Sequence, residues 1–116
     1  MIRYSYETIG DSYIKIDDLL KARAAFEMGI SISPHPTTYY KLGLLAQDMS
    51  DHRTAIDYLE QAVKLGPDFA EAYYLLCKSY VSTGDRKKVL RYYKKLKKLD
   101  EDMALKFYKR TGFAIE

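Results

Sequence analysis

Tyr39-x-x-Leu42-Gly43-x-x-Ala46, followed by Ala55, Leu59, Ala62 and Pro67, is a pattern that the chain writes three times. The copy before it runs Tyr6-x-x-Ile9-Gly10-x-x-Tyr13, then Ala22, Phe26, Gly29 and Pro34. The copy after it runs Tyr73-x-x-Leu76-Cys77-x-x-Tyr80, then Val89, Tyr93 and Leu96. The leading tyrosines are 33 and then 34 residues apart. A fixed period of this length predicts stacked helical hairpins, each burying its apolar face against the next. It turns the functional question from catalysis towards binding.

Apolar residues recur at three- and four-residue steps, which predicts helices over about 3–15, 19–31, 36–48, 52–64, 70–82, 86–98 and 102–111. The breaks have chemical causes. Pro34 and Pro36 stop the second helix. Ser50-Asp51 offers an N-cap to the fourth, and Gly66-Pro67 ends it. Gly84 suits a left-handed turn, and Asp85 suits the cap of the sixth helix. Asp100, Glu101 and Asp102 place carboxylates at the start of the last helix, where its dipole favours them.

At 116 residues, 47% hydrophobic and 30% charged, the chain fits one soluble globular domain spanning 1–116. Its apolar runs are a few residues long, so no membrane span is expected. Met1–Tyr4 shows no basic leader followed by an apolar block. Cys77 is the single cysteine, which excludes an intramolecular disulfide and fits a reducing, cytoplasmic setting. The net charge of +3 hides an asymmetry: residues 1–68 carry 7 Lys/Arg and 10 Asp/Glu, residues 69–116 carry 12 and 6.

The three copies resemble the tetratricopeptide repeat over residues 3–102, almost the whole chain. That family places an aromatic, a large aliphatic, a small residue and a second aromatic on its first helix. Its second helix carries small and aromatic residues and a closing proline. The second copy departs at Ala46 and Leu59, and the third at Cys77, Val89, Leu96 and Glu101. The resemblance implies an all-α right-handed solenoid of three helix-turn-helix repeats, at about 3–35, 36–69 and 70–102. Residues 102–111 follow as a capping helix. Gly10, Gly43 and Cys77 mark where the helices of a hairpin approach closely, and the bulkier third copy meets the cap. No equivalent cap precedes the first copy.

Little in the chain suits chemistry, and no enzyme activity and no cofactor is expected. The six glycines form no phosphate-binding motif. His35 and His52 fall in predicted turns 17 residues apart, and with Cys77 they lack a fourth metal ligand. Cys77 at a helix-packing position reads as an inert thiol.

In the family, first helices line a concave groove. Subtracting the signature residues from each first helix leaves Glu7 and Asp11 on the first, Tyr40, Lys41 and Leu44 on the third, and Tyr74, Leu75 and Lys78 on the fifth. Aromatic and aliphatic residues outside the repeat core suggest a partner site for an extended or helical peptide, anchored by Tyr40 and Tyr74. The alternative is that these residues pack against their own chain, the last helix or a second copy. Glu7 and Asp11 read as an acidic end of the groove, Lys41 and Lys78 as a basic middle. Some family members clamp the carboxylates of heat-shock chaperone tails. The matching positions here are Glu7, Asp11, Lys41, Glu71 and Leu75, which argues against that partner.

Two further readings stay open. The uncapped first copy suggests self-assembly into a homo-oligomer. The sixth helix presents Arg86, Lys87, Arg91, Lys94, Lys95 and Lys98, either as a solvated convex face or as a surface for an acidic partner or polyanion. No nucleic-acid signature accompanies it, so nucleic acid is disfavoured as a partner.

Overall fold

The computed structural model of the chain describes residues 2–112, with side chains over 5–112. Over these residues the chain forms seven helices: α1 (Ile2–Lys15), α2 (Leu19–Ile32), α3 (Pro36–Asp48), α4 (His52–Leu65), α5 (Ala70–Thr83), α6 (Arg86–Leu99) and α7 (Glu101–Thr111). None of the described helices is long and apolar enough to cross a membrane. The expected boundaries agree with these to within a residue.

Three hairpins, α1–α2, α3–α4 and α5–α6, stack in chain order, and α7 packs on both α5 and α6. The result is an elongated solenoid of 45 × 24 × 21 Å. Each hairpin turns the same way. The amide of Asp18 donates to Tyr13 O, that of Asp51 to Ala46 O and that of Asp85 to Tyr80 O. One residue earlier, Asp17, Ser50 and Gly84 take positive φ of 61°, 59° and 81°. These are C-terminal motifs in which a left-handed residue folds the chain back onto open carbonyls. The next aspartate caps the second helix, bonding the amides of Lys21, Thr54 and Lys88. Asp100 ends α6 and caps α7 by accepting from the Met103 amide at 3.0 Å.

Within each hairpin a small residue on the first helix faces a large one on the second. A Cβ on Gly10 would lie 2.5 Å from Phe26, and one on Gly43 2.5 Å from Leu59. Cys77 occupies the third such position, fully buried. Burial pushes its thiol up to about 12, so it stays protonated and unreactive at neutral pH. Phe26, Leu42 and Leu45 anchor the first interface between hairpins. Leu59, Leu76, Leu96 and Phe107 belong to the continuous core that runs from α3 to α7.

The second helices are joined by a repeated tyrosine–carboxylate contact. Tyr58 on α4 donates to Glu27 on α2 at 2.6 Å, and Tyr92 on α6 donates to Glu60 on α4 at 3.0 Å. Glu60 also accepts from Tyr80 at 2.5 Å. Tyr58 stands 6.3 Å from Tyr39, and Tyr92 stands 5.9 Å from Tyr73, the same pair one repeat on. Burial and the adjoining carboxylate push Tyr58 and Tyr92 up to about 12, and Tyr80 higher still.

Gly43→Ala is expected to lower stability by about 1–2 kcal/mol, because Leu59 must move. Combined with Leu59→Ala, the loss should fall short of the sum of the single losses by at least about 0.5 kcal/mol. Urea unfolding of the four proteins measures this coupling; strict additivity would refute the contact.

The tyrosines predict a weakness at high pH. Below pH 10, the ordinary tyrosine value, both folded and unfolded chains keep the phenols neutral. Above it the unfolded chain loses those protons first, so stability falls from about pH 10 until the folded phenols ionise near 12. Urea midpoints at stepped pH should drop across this window, and Glu60→Gln should make the drop shallower.

Candidate binding groove

The first helices of the hairpins lie side by side and are joined by polar contacts. Glu7 on α1 and Lys41 on α3 are one repeat apart in sequence. Their side chains meet, with Lys41 Nζ donating to Glu7 Oε1 at 3.1 Å and to Asp11 Oδ2 at 2.8 Å. Thr38 Oγ1 donates to Glu7 Oε2 at 2.8 Å. Burial lowers the Lys41 ammonium, but its bonds to Asp11 and Glu7 outweigh this and leave it above the ordinary lysine value. Gln47 on α3 then reaches α5, donating to Leu75 O and Ser79 Oγ, both at 2.7 Å.

This geometry corrects the expected charge pattern. Glu7 and Asp11 do not form an open acidic end, nor Lys41 a free basic middle; they close on one another across α1 and α3. Leu75 is also buried, at 5% exposure, whereas Leu44 on α3 and Val81 on α5 remain exposed. Tyr40 and Tyr74 are half-buried. The Tyr40 ring lies 5.0 Å from Phe69, and the Tyr74 ring meets Phe107 of α7 edge-on at 6.1 Å. Lys78 places its ammonium 5.8 Å from the centre of the Tyr74 ring.

Between α3, α5 and α7 opens a cleft of about 440 Å³. Tyr40, Glu71, Tyr74 and Leu75 line one side, and Asp102, Met103 and Lys106 the other. Burial, then the nearby Glu71 charge, holds the Tyr40 phenol above its ordinary value. The last helix, an alternative packing partner for Tyr40 and Tyr74 in the sequence, does meet Tyr74 through Phe107, but its part in lining a cleft is not visible there. The repeat period ends before α7, so no register relates its residues to those of α5. Glu71 and the carboxylates at the start of α7 were visible, but only the fold brings them to one cleft.

The remaining sequence-marked residues lie elsewhere. Val89, Tyr93 and Leu96 bury one face of α6, while Arg86, Lys87, Arg91, Lys94, Lys95 and Lys98 are exposed. The Arg91 guanidinium sits 5.9 Å from the Tyr92 ring. His35 caps α3, its Nδ1 accepting from the Thr37 amide at 3.3 Å. His52 opens α4. Among the described residues, no three His, Cys, Asp or Glu side chains group as a metal site needs.

Two family models match the chain, each described as a tetratricopeptide repeat, one over residues 4–36 and one over 44–105. A search of curated proteins finds no match. Among solved structures, MamA protein is 26% identical over 98% of this chain, with a TM-score of 0.79. The chain spans 60% of that protein's length. The first TPR of Spaghetti, bound to the HSP90 peptide SRMEEVD, is 14% identical and has a TM-score of 0.84, with 97% of this chain and 94% of that one covered. The Arabidopsis OM64 TPR domain is 15% identical with a TM-score of 0.85, covering 94% and 93%. At such identities these last two speak to the fold alone.

The Lys41 cluster yields a test of the α1–α3 join. Lys41→Met removes the ammonium from a Glu7 side chain that is 12% exposed. It should cost about 2 kcal/mol, since the carboxylate loses its charge partner on burial. Lys41→Met with Glu7→Gln should recover part of that loss in thermal melts; no recovery would refute the pairing.

Proposed function

The chain belongs to the tetratricopeptide repeat family, and on that premise we propose that it is a non-catalytic protein-interaction module whose groove takes a peptide segment. The observation that carries this reading is the cleft between α3, α5 and α7. It has a volume in the range of ligand-binding sites, aromatic walls from Tyr40 and Tyr74, and charged groups on its rim. The proposed scaffold or adaptor role rests on this surface rather than on any reactive group. Leu44 extends the apolar surface along α3.

The groove is also proposed to refuse the carboxylate tail of a heat-shock chaperone, although Spaghetti was solved with an HSP90 peptide. What supports this is the state of Lys41, already bonded to Glu7 and Asp11, and the presence of Glu71 at the cleft. An incoming carboxylate would meet like charges.

A second reading is pairing of copies through the first hairpin. It draws on Ile9, Leu20 and Met28, which stand 43%, 70% and 48% exposed on α1 and α2. The residues equivalent to Ile9, Leu42 and Leu76, are buried by the hairpin before them. A solution mass that remains that of one chain as concentration rises would exclude this reading.

The groove is tested by panning a random peptide library on the immobilised protein. Peptides so selected should bind Tyr40→Ala/Tyr74→Ala at least about tenfold more weakly, while the variant still melts cooperatively. Because both rings also touch the core, Tyr40→Ala alone serves as a milder variant with a smaller loss. Undiminished binding to both variants would refute the groove assignment.

A further inference from the structure

We propose that the cleft between α3, α5 and α7 recognises a cationic side chain, lysine or arginine, on a peptide lying in the groove. This rests on the groove reading and names the chemistry of its ligand. Three carboxylates, Glu71, Asp100 and Asp102, line the cleft against one ammonium, Lys106. Asp100 is partly committed to capping α7. Glu71 and Asp102 are exposed, in the first turns of α5 and α7. An anionic ligand would face this excess, and a cation would be attracted by it.

The aromatic wall adds an independent argument. A tyrosine face attracts cations through its quadrupole, and more strongly where water is displaced. Tyr74 already shows the attraction within the molecule, holding Lys78 near its ring. The volume of about 440 Å³ suits a long side chain and its neighbouring backbone. Carboxylates at the rim and aromatic faces in the wall are what a lysine or arginine side chain matches: the charged head meets the carboxylates while the apolar stem lies against the rings.

The test uses four end-blocked peptide libraries, random except for a central Arg, Lys, Gln or Glu, titrated against the full chain by fluorescence anisotropy. The Arg and Lys pools should bind about tenfold more tightly than the Gln pool, and the Glu pool most weakly. That advantage should shrink as salt rises. Glu71→Gln/Asp102→Asn alters exposed residues, and should bring the Arg pool to within about twofold of the Gln pool. Preference for Gln or Glu, with binding still weakened in Tyr40→Ala, would overturn the cationic ligand and leave the groove standing. An Arg preference that survives Glu71→Gln/Asp102→Asn would overturn the assignment to this cleft. No binding by any pool would overturn both readings.

Discussion

The close approach of two helices at one point in each hairpin governs the rest of the molecule. Gly43 lies so near Leu59 that even a methyl group would need the leucine to move, and Gly10 stands in the same relation to Phe26. With no side chain on one helix, the large residue on the other fills the gap and reaches the next hairpin. Phe26 thus joins Leu42 and Leu45 of α3 in one core. The third hairpin keeps the constraint with different groups. Cys77 stands at the glycine position, and Tyr93, in register with Phe26 and Leu59, packs its ring 6.0 Å from Phe107 on α7.

Stacking alone would leave the hairpins sliding over apolar surfaces, and polar contacts on both sides fix their register. On the second-helix side Tyr58 and Tyr92 bond carboxylates one repeat earlier. On the first-helix side Lys41 and Gln47 bond residues on neighbouring first helices. The tyrosine–carboxylate series has Ala25 and Lys94 at the positions where further members would fall. Nearest-neighbour coupling of this kind makes stability a sum over interfaces, so that damage to one weakens its two hairpins most.

Much of this was legible in the sequence because the repeat writes each packing position three times. Helix spans, the small residues at the close approaches and the turn at Gly84 follow from residue type and period. The turns at Asp17 and Ser50 were not marked as left-handed, since propensity assigns that conformation to glycine. Only alignment to Gly84 reveals them. The Lys41–Glu7 bond is also hidden, because helical periodicity gives each residue a face but not its neighbour on the next helix. Opposite charges one repeat apart on successive first helices are the signal for such a join, as i, i+4 pairs are within a helix.

What remained illegible is the cleft, and the reason is physical. Within the periodic part, a residue facing the next hairpin meets a copy of known chemistry, and its neighbours can be read by register. Residues beyond the period meet surfaces that no repeat defines. The helix α7 lies beyond it, and its side chains supply Asp102, Met103 and Lys106 to one wall of the cleft. Its Phe107 anchors this arrangement by packing on Tyr74 and Tyr93. The same ring therefore ends the core and positions a wall of the site. A periodic array repeats its surface chemistry along the groove. A break in the period, covered by a helix of different sequence, creates one place unlike the others, and selectivity needs such a place.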